Sequence, residues 1–261
     1  MTDRRFQFIS EDDWATLNTP DVGPQDEKAL EFLHKATFGE SWLIHNASNY
    51  TFLVELNWST FNAYGIYKPQ MGEFPLWDFP DDTLYLRECS AYEVSEMLGW
   101  GIVPPTVYRE GEFGIGSLQL YVPPIKDSNY FSFRAEYPSE ALRMAVFDVI
   151  INNADRKGGH CFEAQGGGVW GIDHGLTFHP EHKLRTVIWD FAEQEIPSVL
   201  LEDIRTLKNA LDQPKSTYLL TLGQLLMNEE IEALRARLEG LLKFPILPRP
   251  MTRRDLPWPL L

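Results

Sequence analysis

Apolar residues in the first half of the chain gather in short runs rich in β-forming types. Two of these predict strands, over 50–56 and 61–68, with a hairpin turn at 57–60. Pro69 should end the second strand, because it cannot donate to a ladder. Before them, 29–38 carries Leu30, Phe32 and Leu33 at the spacing of a short helix, and 1–28 reads as a loosely structured lead-in. After them, Asp82 is placed to cap a helix over 83–98, in which Glu88, Ala91, Tyr92 and Ser95 share one face. Gly99 and Pro104-Pro105 stop it. Two more strands are predicted at 106–109 and 117–122, around a turn at 111–116, and Pro123-Pro124 closes the series. The first part therefore reads as β-β-α-β-β.

The pattern then changes to helical spacing. Ser139 should cap a helix whose apolar positions are Leu142, Ala145, Val146, Val149 and Ile150. A loop follows, then a hairpin folded about Gly166-Gly167-Gly168. Helices are predicted over 198–211, 217–227 and 229–243, the last with Glu229 and Glu230 in its first turn, where the dipole favours them. The tail, 245–261, holds five prolines and should lie extended against the body. The fold class is α+β and two-lobed: a β-rich lobe over 29–124, a mostly helical lobe over 125–244, and the packed tail.

Composition narrows the function. The 261 residues are 44% hydrophobic and 13% aromatic, ample for a core. A formal net charge of -15 argues against a nucleic-acid or anionic-membrane surface. No segment approaches the roughly 18 apolar residues of a membrane span. The Met1 to Arg5 start has no apolar leader, so a cytoplasmic protein is expected. Cys89 and Cys161 read as buried, reduced thiols. Trp58, Trp77, Trp100 and Trp170 read as core or lobe contacts.

The chemistry sits in two segments, Asn152-Asn153-Ala154-Asp155-Arg156-Lys157-Gly158-Gly159-His160 and Gly171-Ile172-Asp173-His174-Gly175. The hairpin between them folds Asp155 back toward Asp173. One carboxylate near an acceptor hydroxyl and one on a metal is the minimum that phosphoryl transfer asks of side chains. Asp155 is the candidate to accept or orient the hydroxyl proton, unless it only bonds the backbone of an Asn-rich turn. Arg156 either holds the loop by ion pairing or faces a phosphate. Asp173, at a strand end beside Gly, suits Mg²⁺, a hard cation that prefers oxygen. His160 is the remaining candidate at the metal, better suited to softer divalent ions than to Mg²⁺, or a holder of phosphate or water. Lys68, at a strand end, can reach donor phosphates as a point charge or be an ordinary exposed lysine. Glu88 is a candidate to hold it, with Glu93 and Glu96 as alternatives.

At these residues the chain resembles the phosphatidylinositol 3-/4-kinase superfamily, most nearly a bacterial, largely actinobacterial group. More distantly it is similar to type II lipid kinases and HipA-like kinases. Tyr67-Lys68-Pro69, Pro75-Leu76-Trp77-Asp78-Phe79-Pro80, Arg87-Glu88 and Val103-Pro104-Pro105-Thr106 carry the likeness in the small lobe, and the two segments above carry it in the large one. The resemblance implies a protein-kinase-like fold with ATP bound between the lobes and Mg²⁺ or Mn²⁺ as cofactor. It puts Lys68 on phosphate, Asp155 with Arg156 in catalysis, Asp173 on metal, and the backbone of Tyr121, Val122 and Ile125 on adenine. The acceptor it implies is a hydroxyl, of a small molecule or a protein Ser/Thr before a lipid. A nucleotide-binding module without transfer and AMP transfer to protein are the alternatives. Two departures stand out: His160 where lipid kinases have Asn, and a nucleotide loop at 45–49 without a Gly-rich pattern.

Overall fold

The structure, a computed structural model, describes residues 7–9, 17, 20–44 and 48–261. Residues 45–47 of the expected nucleotide loop, and much of the lead-in, lie outside the described residues. The chain divides into two compact units, one of Met1–Cys89 and Pro104–Val122, the other of Ser90–Val103 and Pro123–Leu261.

The first unit is built on a six-stranded sheet: β1 (Gln7–Ile9), β2 (Thr37–Ile44), β3 (Phe52–Trp58), β4 (Phe61–Pro69), β5 (Thr106–Gly111) and β6 (Gly114–Leu120). Their spatial order is β1-β2-β3-β4-β6-β5, antiparallel except for the β1–β2 pair. Alternation along β3 sends Phe52, Val54 and Leu56 to one face, where they pack with Phe32 and Leu33 of α1 (Ala29–Lys35), Tyr67 and Leu118. Leu53 goes to the other face, with Ile9 and Tyr64. Helix α1 stops earlier than its sequence pattern predicts. Ala36 is already extended (ψ 140), and Arg109 takes the carbonyls of Leu33 and Ala36 at 2.7 and 2.8 Å. Strand β2, which begins at Thr37, has no counterpart among the predicted strands. A register shift between Phe38 and Ser41 breaks its alternation, and its polar Glu40 and Ser41 hide it.

The hairpin β5–β6 turns on only Glu112 and Phe113, so β6 starts at Gly114 inside the expected turn. Gly116 faces the end of β4. A Cβ there would collide with the Lys68 carbonyl and stand 2.6 Å from Pro69 Cα. Only glycine permits this approach of two backbones, and it fixes the strand end that carries Lys68.

Helix α2 (Leu84–Met97) holds the boundary between the units, after Cys89. In the second unit α3 (Tyr130–Phe133) leads to α4 (Pro138–Ile151). Pro138 opens α4 and Ser139 lies inside it, not at its cap. The fixed φ of proline suits the first helical position. Ala141, Met144, Phe147 and Ile150 bury one side of α4. A short hairpin, β7 (Cys161–Glu163) and β8 (Val169–Gly171), follows, with Gly167 and Gly168 at φ 87 and 82 in its turn. The helices α5 (Ser198–Leu211), α6 (Thr217–Leu222) and α7 (Asn228–Lys243) come next, and α6 ends before the predicted 227. The tail is tied to the unit by backbone bonds from Ile196 N to Pro245 O, Thr186 N to Asp255 O and Gly158 N to Leu260 O, at 2.8, 3.1 and 2.7 Å. Cys89 and Cys161 are buried, reduced thiols, and burial pushes Cys161 up to about 12. Among the described residues, no helix is long and apolar enough to cross a membrane.

Candidate functional site

In the first unit Lys68 and Glu88 form an ion pair, with the Glu88 side chain only 4% exposed. Of the three acidic candidates on α2, Glu88 is therefore the partner. Burial raises the carboxyls of Glu93 and Glu96 instead. The helix is anchored for this task at its N-terminus. The amides of Leu84 and Tyr85 donate to the Glu73 carboxylate at 3.0 and 2.8 Å. Glu73 thus takes the capping role expected of Asp82, which sits one residue farther out at φ 63. Arg87, 1% exposed, donates to the Thr83 carbonyl at 3.1 Å and lies over the Phe79 ring at 5.3 Å.

In the second unit α4 ends at Asn152 in a left-handed turn, φ 54, a conformation that Asn tolerates. The Asn152 side chain ties down the 179–183 segment through the His179 and Glu181 carbonyls and the Lys183 amide. Asn153 takes the Asp155 amide on its side-chain oxygen at 3.0 Å. The Asn-rich turn is therefore closed by Asn153, and the Asp155 carboxylate is left to meet Lys157 Nζ at 3.1 Å, with 30% of its side chain exposed.

Arg156 points the other way. It is fully buried, its Nε 3.0 Å from Asp148 Oδ1, and it donates to the carbonyls of His160 and Ile172 at 3.2 and 2.9 Å. A third contact joins its guanidinium to His174 Nε2 at 2.6 Å, so that nitrogen accepts and the ring proton sits on Nδ1. The ion-pairing arrangement expected as one alternative for Arg156 is present, with Asp148 as its partner. Asp148 is completed by Asn153 and Thr186, at 3.0 and 3.1 Å. A parallel bridge between Arg156 and Thr186 brings both side chains onto Asp148. Asp148 and Thr186 were not among the sequence candidates. The signal was a lone acid inside the apolar run Val146-Phe147-Asp148-Val149-Ile150, which demands a buried cation. Lys157 lay inside the quoted motif without an assigned role.

One cation, Arg156, thus holds the loop before β7 to the segment after β8. Backbone bonds from Ile172 N to His160 O and from Ala154 N to Leu176 O, both 2.9 Å, close the same seam. Asp173 emerges from it at φ 60, with 48% of its side chain exposed. His160 Nε2 stands 3.3 Å from Asp173 Oδ2, and the Lys157 amide donates to its Nδ1 at 3.4 Å. Nε2 is thus the His160 nitrogen that faces Asp173. Burial raises the Asp155 carboxyl above its ordinary range. Lys157 pulls it back, and the Asp173 charge pushes it further up. The two acids predicted to converge do feel each other. Among the described residues, no three His, Cys, Asp or Glu side chains cluster as a metal cage.

The connector residues differ in what they can offer. The amide of Tyr121 goes to Tyr64 O at 2.9 Å and that of Ile125 to Glu163 O at 2.8 Å. Pro123 and Pro124 have no N–H, and their carbonyls accept from Gln165 at 2.9 and 3.1 Å. Val122 is the connector residue whose backbone polar groups stay uncommitted among the described residues. Burial pushes the Tyr121 phenol up to about 12. Of the four tryptophans expected as core or lobe contacts, Trp100 and Trp170 are buried, Trp58 is partly buried against the core, and Trp77 is 91% exposed.

No family model matches the chain. Among solved structures, the Golgi casein kinase superposes with a TM-score of 0.51 at 13% identity, over 82% of this chain and 74% of that one. The Helicobacter pylori proinflammatory kinase CtkA gives 0.49 at 12% identity, over 81% and 93%. The first of these makes the α+β, two-lobed architecture protein-kinase-like. Protein Rv2133c of Mycobacterium tuberculosis is 41% identical over 251 residues, 83% of this chain and 89% of that protein, and the chain belongs to the same family.

Proposed function

We propose that the protein is an ATP-dependent phosphotransferase of the phosphatidylinositol 3-/4-kinase-like kind. It would move the γ-phosphoryl group to a hydroxyl of a small molecule or of a protein Ser/Thr. The observation that carries this is the pair of partly exposed carboxylates, Asp155 and Asp173, held on one seam by a wholly buried Arg156. The lobes are taken as 29–124 and 125–244. In the first, Lys68 holds donor phosphates and Glu88 keeps its ammonium in place. In the second, Asp155 accepts or orients the acceptor proton. Its raised pKa brings the carboxylate's basicity closer to that task. Lys157, 3.1 Å from Asp155, adds positive charge beside the acceptor side of the reaction. Arg156 is a positioning residue. The Val122 backbone is the connector group suited to an adenine edge.

Mg²⁺ or Mn²⁺ fits the oxygen chemistry of Asp173. Mg²⁺ is bound through one or two carboxylates plus phosphate oxygens and water, so a protein cage of three ligands is not required. When bound, the ion supplies neutralisation of phosphate charge. Asp173 is its protein ligand, and His160 steadies that carboxylate through Nε2–H. The buried, reduced thiols suit a reducing cytoplasm.

Calorimetry of ATP binding, with and without Mg²⁺ or Mn²⁺, tests this reading. Metal-dependent binding that disappears in Asp173→Ala is expected. Absence of binding with either ion sinks it. The His160 contact to Asp173 favours a second reading, nucleotide binding without transfer. Asp155→Asn separates the two: loss of ADP release with ATP affinity retained marks an enzyme. A product heavier by an adenylyl rather than a phosphoryl group would mark AMP transfer.

A further inference from the structure

The segment between β4 and α2 has no part in the chemistry above, yet it displays large apolar side chains. Met71, Phe74 and Trp77 are 68%, 60% and 91% exposed within seven residues. Phe74, Leu76, Phe79 and Leu84 line a shallow groove, with Trp77 next in sequence to Leu76. Such a concentration of exposed apolar surface marks an interaction site more often than chance.

The segment is pinned at both ends. The Phe74 amide donates to Asn49 Oδ1 at 2.8 Å, the Glu73 carboxylate is held by two amides of α2, and Thr83 Oγ1 donates to Pro80 O at 2.7 Å. Pro75 and Pro80 each fix one φ. The groove is thus presented by an ordered scaffold, and a partner need not order it.

Charge selects the occupant. Glu73, Asp78, Asp81 and Asp82 fall in this segment, and no Lys or Arg occurs from 69 to 86. The next cation, Arg87, is buried, with its guanidinium over the Phe79 ring at 5.3 Å. Glu73, Asp81 and Asp82 border the groove itself. An apolar floor with an acidic rim and exposed aromatic faces suits alternating apolar and cationic side chains. The apolar ones would fill the groove, and the cations would lie over Trp77 or Phe74 against the carboxylates. A nucleic acid or an anionic membrane would be repelled.

We propose that residues 71–82 form a docking surface for an extended Lys/Arg-bearing segment of a protein partner. The surface stands whether or not the chain transfers phosphate. Its test is calorimetry on the full chain at low salt, with a six-residue peptide alternating arginine and leucine and a second alternating glutamate and leucine. The arginine peptide binds and the glutamate peptide does not. Trp77→Ala, and Asp81→Asn with Asp82→Asn, each weaken binding by about ten-fold or more. Glu195→Gln with Glu239→Gln, which removes equal charge elsewhere, leaves it unchanged. Trp77→Ala keeps the wild-type melting temperature, since the side chain is 91% exposed. No binding, or equal weakening by the distant pair, overturns the proposal. Concentration-dependent self-association abolished by Trp77→Ala overturns it too, because a second copy would then be the occupant.

Discussion

Asp155 shows what a half-buried carboxylate costs the fold. Burial is the largest influence on it, and the net effect is a carboxyl raised above its ordinary 3.8. A group that binds its proton more tightly when folded supports folding in acid. That support is lost as pH rises through the raised value, and above it the ionised carboxylate is a net cost. Asp155→Asn, neutral throughout, should therefore melt at a higher temperature than wild type at pH 7. The gain should shrink as pH falls past the raised value and vanish well below 3.8. Scanning calorimetry from pH 3 to 8 reads this, and a variant less stable at pH 7 would refute it. The same site shows what could be read from residues alone. The Lys68–Glu88 pair, and the placement of Asp155 and Asp173 on one seam, were legible because their spacing and chemistry are local. For Arg156 the ion-pairing alternative was open from sequence, but its partners were not identified. Asp148 and Thr186 lie 8 positions before it and 30 after, outside the motif, and the lone acid in an apolar run went unread.

The elements found by sequence were those with clear composition, periodicity or end signals. Strands β3 and β4 and helices α2, α5 and α7 come out within a few residues of their predicted bounds. Strand β2 was missed because a bulge and polar residues spoil its alternation, and α1 was overextended into it. Gly116 is a case where composition pointed to a turn and packing made it a strand residue. Its hydrogen faces the β4 backbone, where a Cβ would meet the Lys68 carbonyl and Pro69. Backbone atoms cannot rotate aside as a side chain can. Gly116→Ala should therefore lower stability by about 1–3 kcal/mol, the usual cost of overpacking. Under the proposed role of Lys68 in holding donor phosphates, it should also weaken ATP binding. Urea unfolding measures the first effect and calorimetry the second. Unchanged stability would mean that β4 and β6 do not approach so closely.

At the scale of the whole molecule the excess of negative charge prevails: 38 acidic against 23 basic side chains, a net of -15. Ion pairs offset little of this. Those of Lys35 with Glu31, Arg205 with Glu202 and Arg249 with Glu193 are solvent-exposed, and such pairs contribute about 0–1 kcal/mol each. The buried pair of Arg156 with Asp148 is shielded from salt by its surroundings. Self-repulsion among exposed carboxylates is therefore the electrostatic contribution most open to screening, and it favours the expanded chain. Raising NaCl from about 0.02 M to about 0.5 M shortens the screening length from about 20 Å to about 4 Å. Melting temperature at pH 7 should rise across that range, and by less at lower pH, where the raised carboxyls of Glu93, Glu96 and Asp155 lose charge ahead of ordinary ones. A melting temperature that falls with NaCl would mean that attractive surface pairs outweigh the excess of negative charge.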